Sequence, residues 1–426
     1  MFMSTPSTVV GPTTPPGIRR GEPAYRRAVL AVLAAGLATF NALYCTQAML
    51  PTLVSDLGVN PTEAALTVSA ATGTLALFIV PFSILSERFG RGRILVISAL
   101  SATVVSLILP LAPSIGWLIA LRALQGALIA GVPAVAMTWL SEELDPEALP
   151  KAMGIYVAGT SVGGLTGRLI PAAALEIADW RVALWATGGF AVLVGIAMAF
   201  LLPAQRRFKP KQIHVRGELS AMVNHWRNPR LATLFITAFL SMGCFVSLYN
   251  FLGFRMVHTF GLSEALVGLV FLMYLAGTWS SAQAGVLTSR TGNGLGMIIF
   301  ALTMLVGLGI MCIPNLAMVL IGLFAFTAAF FGIHSTASSW VGLIATENRA
   351  EGSSMYLFCY YVGSSVVGAA AGLVFASLSW AGFIGCLALI VLLILGIAMY
   401  LAKRERSVAH QQVSMPEAEK LKARVH

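Results

Sequence analysis

Twelve times along this chain a run of roughly 20 residues passes with hardly a charged side chain, the length a helix needs to cross the hydrocarbon of a bilayer. The runs cover 28–50, 63–85, 94–112, 115–140, 152–175, 182–202, 231–252, 264–287, 295–312, 315–340, 354–378 and 381–402. Composition agrees: 58% of the 426 residues are hydrophobic and only 10% are charged, whereas a soluble domain is about a quarter charged. So much apolar sequence has no single water-soluble core to hide in. The runs also lack the alternation that a membrane β-barrel needs. The expected fold class is an all-α membrane protein with twelve transmembrane helices. Residues 1–27, rich in Pro and Thr, read as a disordered cytoplasmic leader. They are not a cleavable signal, because the apolar run behind them is too long for a signal-peptide core.

Lysine and arginine fix the orientation. With both termini in the cytoplasm, 23 of the 27 basic residues fall in the leader, the inner loops and the tail. That asymmetry is a topology signal. It also accounts for the net charge of +10 without a nucleic-acid partner. Only Arg122, Arg168, Arg181 and Arg255 lie elsewhere. The stretch AQRRFKPKQIHVRGE, inside 203–230, reads as a linker facing anionic lipid at the cytoplasmic face, and 403–426 as a cytoplasmic tail. Cys45, Cys244, Cys312, Cys359 and Cys386 all fall in spans and no pair has metal-ligand spacing, so neither metal nor cofactor is expected.

The chain repeats itself. A shift of 202 aligns Leu85, Arg88 and Gly90 with Leu287, Arg290 and Gly292. A shift of 205 aligns Tyr156, Val157, Val162, Gly163 and Gly167 with Tyr361, Val362, Val367, Gly368 and Gly372. A shift of 201 aligns Gly131, Ala136 and Trp139 with Gly332, Ala337 and Trp340. Three regions near one offset divide the chain into two six-helix halves, 28–202 and 231–402. Six spans return the chain to its starting side, so the symmetry axis runs along the membrane normal, with a pathway between the halves.

The loop SILSERFGRGR, Ser83 to Arg93, is similar to the inner-loop signature of the major facilitator superfamily. Leu85, Arg88, Gly90 and Arg91 match; Ser83 and Glu87 stand where the signature has Gly and Asp. Arg122-Ala-Leu-Gln125-Gly126 resembles the R-x-x-Q-G signature of span four. Gly159, Gly163, Gly164 and Gly167 resemble the antiporter signature of span five, without the proline often found there. The resemblance covers almost the whole chain. It implies a drug/proton-antiporter-like transporter of a bacterial inner membrane, with spans one, four, seven and ten lining the path. It also implies a latch, built on Glu87, Arg88, Gly90 and Arg91, that holds one conformation and breaks in the other. From the residues alone, Gly90 permits a tight turn and the arginines anchor the cytoplasmic side. Glu87 either pairs with Arg91 or meets the positive N-terminus of span eleven near Gly352 and Ser353.

Glycines three or four apart let helices approach closely. Gly159, Gly163, Gly164 and Gly167, with Gly368 and Gly372 in the copy, read in two ways. They form a hinge seam between the halves, of a span five–span eleven kind, or they pack within one half. Arg122 and Arg168 both lie about 10 Å inside the outer boundary, at about 1.5 Å per residue. Their repeat partners are Leu323 and Leu373, so the scaffold itself requires no charge there. An ionisable residue in a span is costly, which makes function the default reading. Either the two arginines bind an anionic or hydroxyl-rich substrate through the guanidinium fork, or they bond to helix-end carbonyls and an outer carboxylate. No Asp or Glu lies deep in any span. His334, Glu63 and Glu264 are then the proton-coupling candidates. The plain alternatives are a neutral hydrogen-bonded histidine and two acids near helix N-termini.

Candidate substrate contacts are Asn41, Tyr44, Gln47, Arg122, Gln125, Arg168, Tyr249, Asn250, Tyr274, His334, Tyr356 and Tyr360. An aromatic pocket with few hydrogen-bonding groups suits a small amphipathic solute. The sequence therefore points to a monomeric, non-enzymatic secondary transporter working by alternating access, with proton-coupled efflux as the first expectation. Uptake or facilitated diffusion without a proton, and a non-transporting membrane sensor, are the alternatives.

Overall fold

The computed structural model describes residues 16–208, 210 and 215–414. The described residues form helices with one isolated bridge, Ile18 to Leu144. The expected spans appear as Pro23–Leu57, Pro61–Phe89, Arg91–Leu111, Ile115–Glu143, Leu149–Leu175, Trp180–Leu201, Pro229–Phe260, Glu264–Thr291, Asn293–Ile310, Leu316–Ile344, Arg349–Ser377 and Trp380–Ser414. Eleven of them are long and apolar enough to cross a membrane. The other, Leu149–Leu175, has the length at 27 residues, but Lys151, Arg168 and its glycines and hydroxyls dilute its apolar character.

Two expectations at the edges change. Part of the leader is ordered: Ile18 is fully buried, and Pro23 already opens the first helix. Residues 1–15 lie outside the described residues. The basic linker contains a helix, Val215–Asn224, and the last span runs on through the start of the expected tail to Ser414.

Local chemistry sets the helix ends. Asn60, Asp179, Asn228 and Asn315 each accept a backbone N–H of the first turn, the usual role of a short polar side chain there. Gly90 turns the chain between spans two and three at φ 99°, and its repeat partner Gly292 does the same at φ 87°. Both values favour glycine. The first span is broken into Pro23–Tyr44, a tight turn Gln47–Met49, and Leu50–Leu57. Pro51 explains the break: it offers no N–H to the preceding turn and its ring crowds that turn.

One end of the bundle gathers the chain ends. Ile18 N donates to Glu143 O at 2.8 Å, and Asp145 N donates to Ile18 O at 3.0 Å. The fully buried Glu143 carboxylate accepts from the backbone N–H groups of Arg206 and Arg207 at 2.7 and 3.1 Å. Gln205 accepts from Gly92 N at 2.9 Å. Arg91 pairs with Glu142 at 2.7 Å and Glu87 at 3.4 Å. In the other half, Glu405 accepts from Asn293 N and Gly294 N at 3.0 and 2.8 Å. This is called the terminal end below, and the opposite one the far end.

Within each half the helices meet through small residues. A Cβ built on Gly159 or Gly163 would lie 2.5 or 2.6 Å from the carbonyls of Leu33 or Leu37 in span one. On Gly126 it would collide with the Ala71 carbonyl of span two, a backbone atom that cannot swing aside. Gly126→Ala is therefore expected to lower stability by about 2 kcal/mol or more. The unfolding midpoint of the purified protein checks this; an unchanged midpoint would mean that spans two and four stand farther apart.

Candidate functional site

The break in span one leaves carbonyls at the end of its first segment without helical partners. Arg122, on span four and fully buried, supplies them. Its Nη1 donates to Ala42 O at 2.7 Å, its Nη2 to Leu43 O, and its Nε to Thr67 O of span two at 2.9 Å. Gln125, one turn on, accepts from Nη1 and donates to Ser106 Oγ at 2.7 Å and Ala102 O at 3.2 Å. A cation at the negative pole of a helix is favourable. Arg122 and Gln125 thus tie spans one, two, three and four together around the break. Here the guanidinium spends its donors on protein.

Arg168 sits one layer away and is 1% exposed. Its Nε donates to Gln47 Oε1 at 2.8 Å, its Nη1 to Gly164 O, and its Nη2 to the Tyr274 hydroxyl at 3.1 Å. The guanidinium carbon lies 4.0 Å from the Tyr44 ring centre, 4.6 Å from that of Tyr274 and 5.1 Å from that of Phe271. Gln47 continues the chain, donating to Asn250 Oδ1 at 2.7 Å. Gln47 and Asn250 are both buried. Two spans of the first half are thereby joined to spans seven and eight of the second through one cation boxed by aromatic faces.

A second group lies in the second half. His334 Nδ1 is 3.1 Å from the Tyr356 hydroxyl, which also donates to His334 O at 3.3 Å. The Tyr360 ring centre is 4.7 Å from the imidazole. Tyr249 belongs to the apolar interior: its hydroxyl meets Thr327 Oγ1 at 2.7 Å, and its ring packs on Phe245 and Tyr274. Asn41 meets the Thr166 hydroxyl at 3.1 Å. Of the twelve candidates, Tyr44, Gln47, Arg168, Asn250 and Tyr274 come together as one cluster. His334, Tyr356 and Tyr360 form another, and Arg122 with Gln125 a third.

Hydrogen bonds between the halves gather in the far half of the bundle. Besides the Arg168 cluster, Thr52 Oγ1 donates to Glu264 Oε1 at 2.8 Å, Ala265 N to Glu176 Oε1 at 2.8 Å, and Ser365 Oγ to Ser69 O at 2.7 Å. The Ser263 hydroxyl, and then that Ala265 N–H, hold the Glu176 carboxyl below the usual range. Glu63 closes a capping box with Asn60, at 2.9 and 3.0 Å. Thr52, Ser69 and Ser365 escaped sequence reasoning, because hydroxyls are common in spans. Glu143 and Glu142 escaped it too, although an acidic pair at the end of an apolar span is a visible signal.

The family model of the major facilitator superfamily matches residues 32–282 and 254–425. The chain belongs to this superfamily. It is 38% identical to the inner membrane transport protein YnfM of Escherichia coli (strain K12), over 91% of this chain and 93% of that protein. It is 26% identical to the multi-drug resistance efflux pump PmrA of Streptococcus pneumoniae, over 58% of this chain and 62% of that protein. Among solved structures, the nucleoside transporter NupG superposes with a TM-score of 0.72 at 12% identity, covering 89% of this chain and 99% of that one. The fold is that of the superfamily, and the chain is a multi-pass membrane transporter.

The inner-loop and span-five signatures each have definite neighbours. Of the two partners expected for Glu87, Arg91 is the one at hand, while Gly352 at the start of span eleven packs against Ala345 and His225. The Arg88 guanidinium lies 5.6 Å from the Phe89 ring centre. The antiporter-like glycines Gly159, Gly163 and Gly167 pack on span one, inside their own half. Gly164 instead faces Arg168 and Tyr44. The copies differ: a Cβ on Gly368 would meet Ser69 Oγ at 3.4 Å, and one on Gly372 would meet Thr62 Cα at 2.8 Å, both on span two of the other half. The glycine seam between the halves runs between spans two and eleven in place of the expected five and eleven.

Proposed function

We propose that this transporter works by alternating access between its two halves and exports a small amphipathic organic solute, driven by inward proton movement. The observation that carries the alternating-access reading is the placement of the bonds between the halves. They cluster toward the far end, whereas among the described residues the terminal-end bonds of Gln205, Glu143 and Glu405 tie each half to itself. In the same way, a Cβ on Gly268 of span eight would lie 2.5 Å from Ala172 of span five near the far end, while Gly154 and Gly285, toward the terminal end of those helices, have nothing within 4 Å. This arrangement is a state closed at the far end. The positive charges at the terminal end support its lying on the cytoplasmic side of a bacterial inner membrane, with the basic linker facing anionic lipid and the chain acting as a monomer.

In this reading the solute rests on the aromatic group His334, Tyr356 and Tyr360, beneath the Arg168 cluster, where rings supply apolar surface and a few polar atoms fix orientation. Efflux is supported by the likeness to PmrA. His334 and Glu264 are the groups on which the proton acts: the first borders the solute, and the second bonds across the halves. Glu63, held in its capping box, is the weaker choice. Proton-independent uptake has one observation in its favour, the lack of a carboxylate deep in any span.

Flux in liposomes separates the two readings. For one proton per solute, a gradient of about one pH unit is worth about tenfold in accumulation. The expected result is accumulation of that order, collapsing when a protonophore is added. Equal flux with and without the gradient would remove the proton and leave facilitated diffusion.

A further inference from the structure

Four basic residues stand away from the terminal end, and three of them are satisfied by protein. Arg122 and Arg168 bond as described above. Arg181 reaches Ala112 O at 3.5 Å and lies over the Trp180 ring at 4.2 Å. Arg255 is the exception. Its Nε is buried without a hydrogen-bond partner, and none of the ion pairs among the described residues includes it. Its guanidinium is held between two rings, 5.5 Å from the Phe260 centre and 5.6 Å from that of Trp380. Such stacking orients the fork without neutralising its charge.

The same guanidinium lines a cavity of about 340 Å³ at the far end, whose walls include Val54, Phe254, His258, Phe375 and Trp380. Glu264, which feels the charge of both His258 and Asp56, is not among the lining residues, and neither is Asp56. A partly buried cation without an acceptor is costly, and a bidentate oxyanion is its natural partner. Arg255 lies five residues before the end of span seven at Phe260, about 7.5 Å along the helix axis at 1.5 Å per residue. That is headgroup depth, with apolar aromatic surface leading inward.

We propose that this cavity binds an anionic amphiphile, its phosphate or carboxylate on Arg255 and its apolar body along Phe254, Phe375 and Trp380. Val54 and Pro61 come from the first half and the other walls from the second. An occupant therefore bridges the halves at the far end and favours the state in which they touch there.

The test is native mass spectrometry of the purified full chain titrated with four probes: phosphatidylglycerol, phosphatidylcholine, dodecyl phosphate and inorganic phosphate. The parent protein is expected to prefer phosphatidylglycerol to phosphatidylcholine, or dodecyl phosphate to inorganic phosphate. Arg255→Gln is expected to weaken the preferred probe about tenfold, the worth of one charge-assisted hydrogen bond, while Arg181→Gln matches the parent. Preference for the phospholipid assigns a lipid ligand; preference for dodecyl phosphate assigns a soluble amphiphile. Undiminished affinity in Arg255→Gln overturns the proposal. Independently of any variant, so does a parent that holds both lipids equally and both phosphates equally.

Discussion

Arg122→Ala is expected to destabilise the protein by about 3–5 kcal/mol, the cost of stranding several buried neutral acceptors at once. The guanidinium is fully buried and serves Ala42 O, Leu43 O, Thr67 O and Gln125 at once. Truncation strands these acceptors in an apolar interior, each orphan worth about 1–3 kcal/mol before water relieves any of them. Arg122→Lys should recover little, because an ammonium offers no planar fork. The measurement is the unfolding midpoint of purified variants beside their affinity for any solute the parent binds. A variant as stable as the parent but poor in affinity would return Arg122 to the substrate.

Arg168→Gln is expected to reduce transport at least about tenfold by weakening far-end closure. The variant loses charge-assisted bonds to Gln47 and Tyr274, each worth about 1.5–3 kcal/mol, and about 1.4 kcal/mol already shifts a two-state population tenfold. Spin labels at Asp56 and Thr259, exposed residues of opposite halves near the far end, should report longer distances. Asn250→Ala acts on the same chain through Gln47. Its effect should therefore be non-additive with Arg168→Gln, as for residues sharing one network. Strict additivity, with unchanged label distances, would sink the idea that this cluster closes the far end.

The long apolar runs made the spans legible, and the internal repeat made the two halves legible, because both are written in residue type at fixed spacing. The depth of Arg122 and Arg168 was legible for the same reason. Their partners were not. Arg122 bonds mainly to backbone oxygens, which every residue carries, and the nearest is 55 positions away along the chain, at Thr67. One clue was available: Pro51 in LYCTQAMLP foretells a break in span one, and a broken helix has carbonyls to satisfy. The glycines show the other limit. Gly163 and Gly368 occupy one place in the repeat, yet Gly163 packs on span one alone among its nearest atoms, whereas Gly368 meets Val246 of span seven and also Ser69 on span two of the opposite half. Repetition fixes where a small residue sits in a helix; the quaternary-like docking of the halves decides what it touches.

The lashing at the terminal end has a mechanical consequence. The leader from Ile18, the turn after span four and the linker as far as Arg207 are bonded to the first half through Glu143, Gly92 and Asp145. That half carries its own harness and behaves as a stator, with the second half as the rotor. A reporter attached at Gln205 or Arg206 would ride with the stator and register nothing of the stroke. The same reporter at His225, bonded to Asn348 O at 3.0 Å, would travel with the rotor.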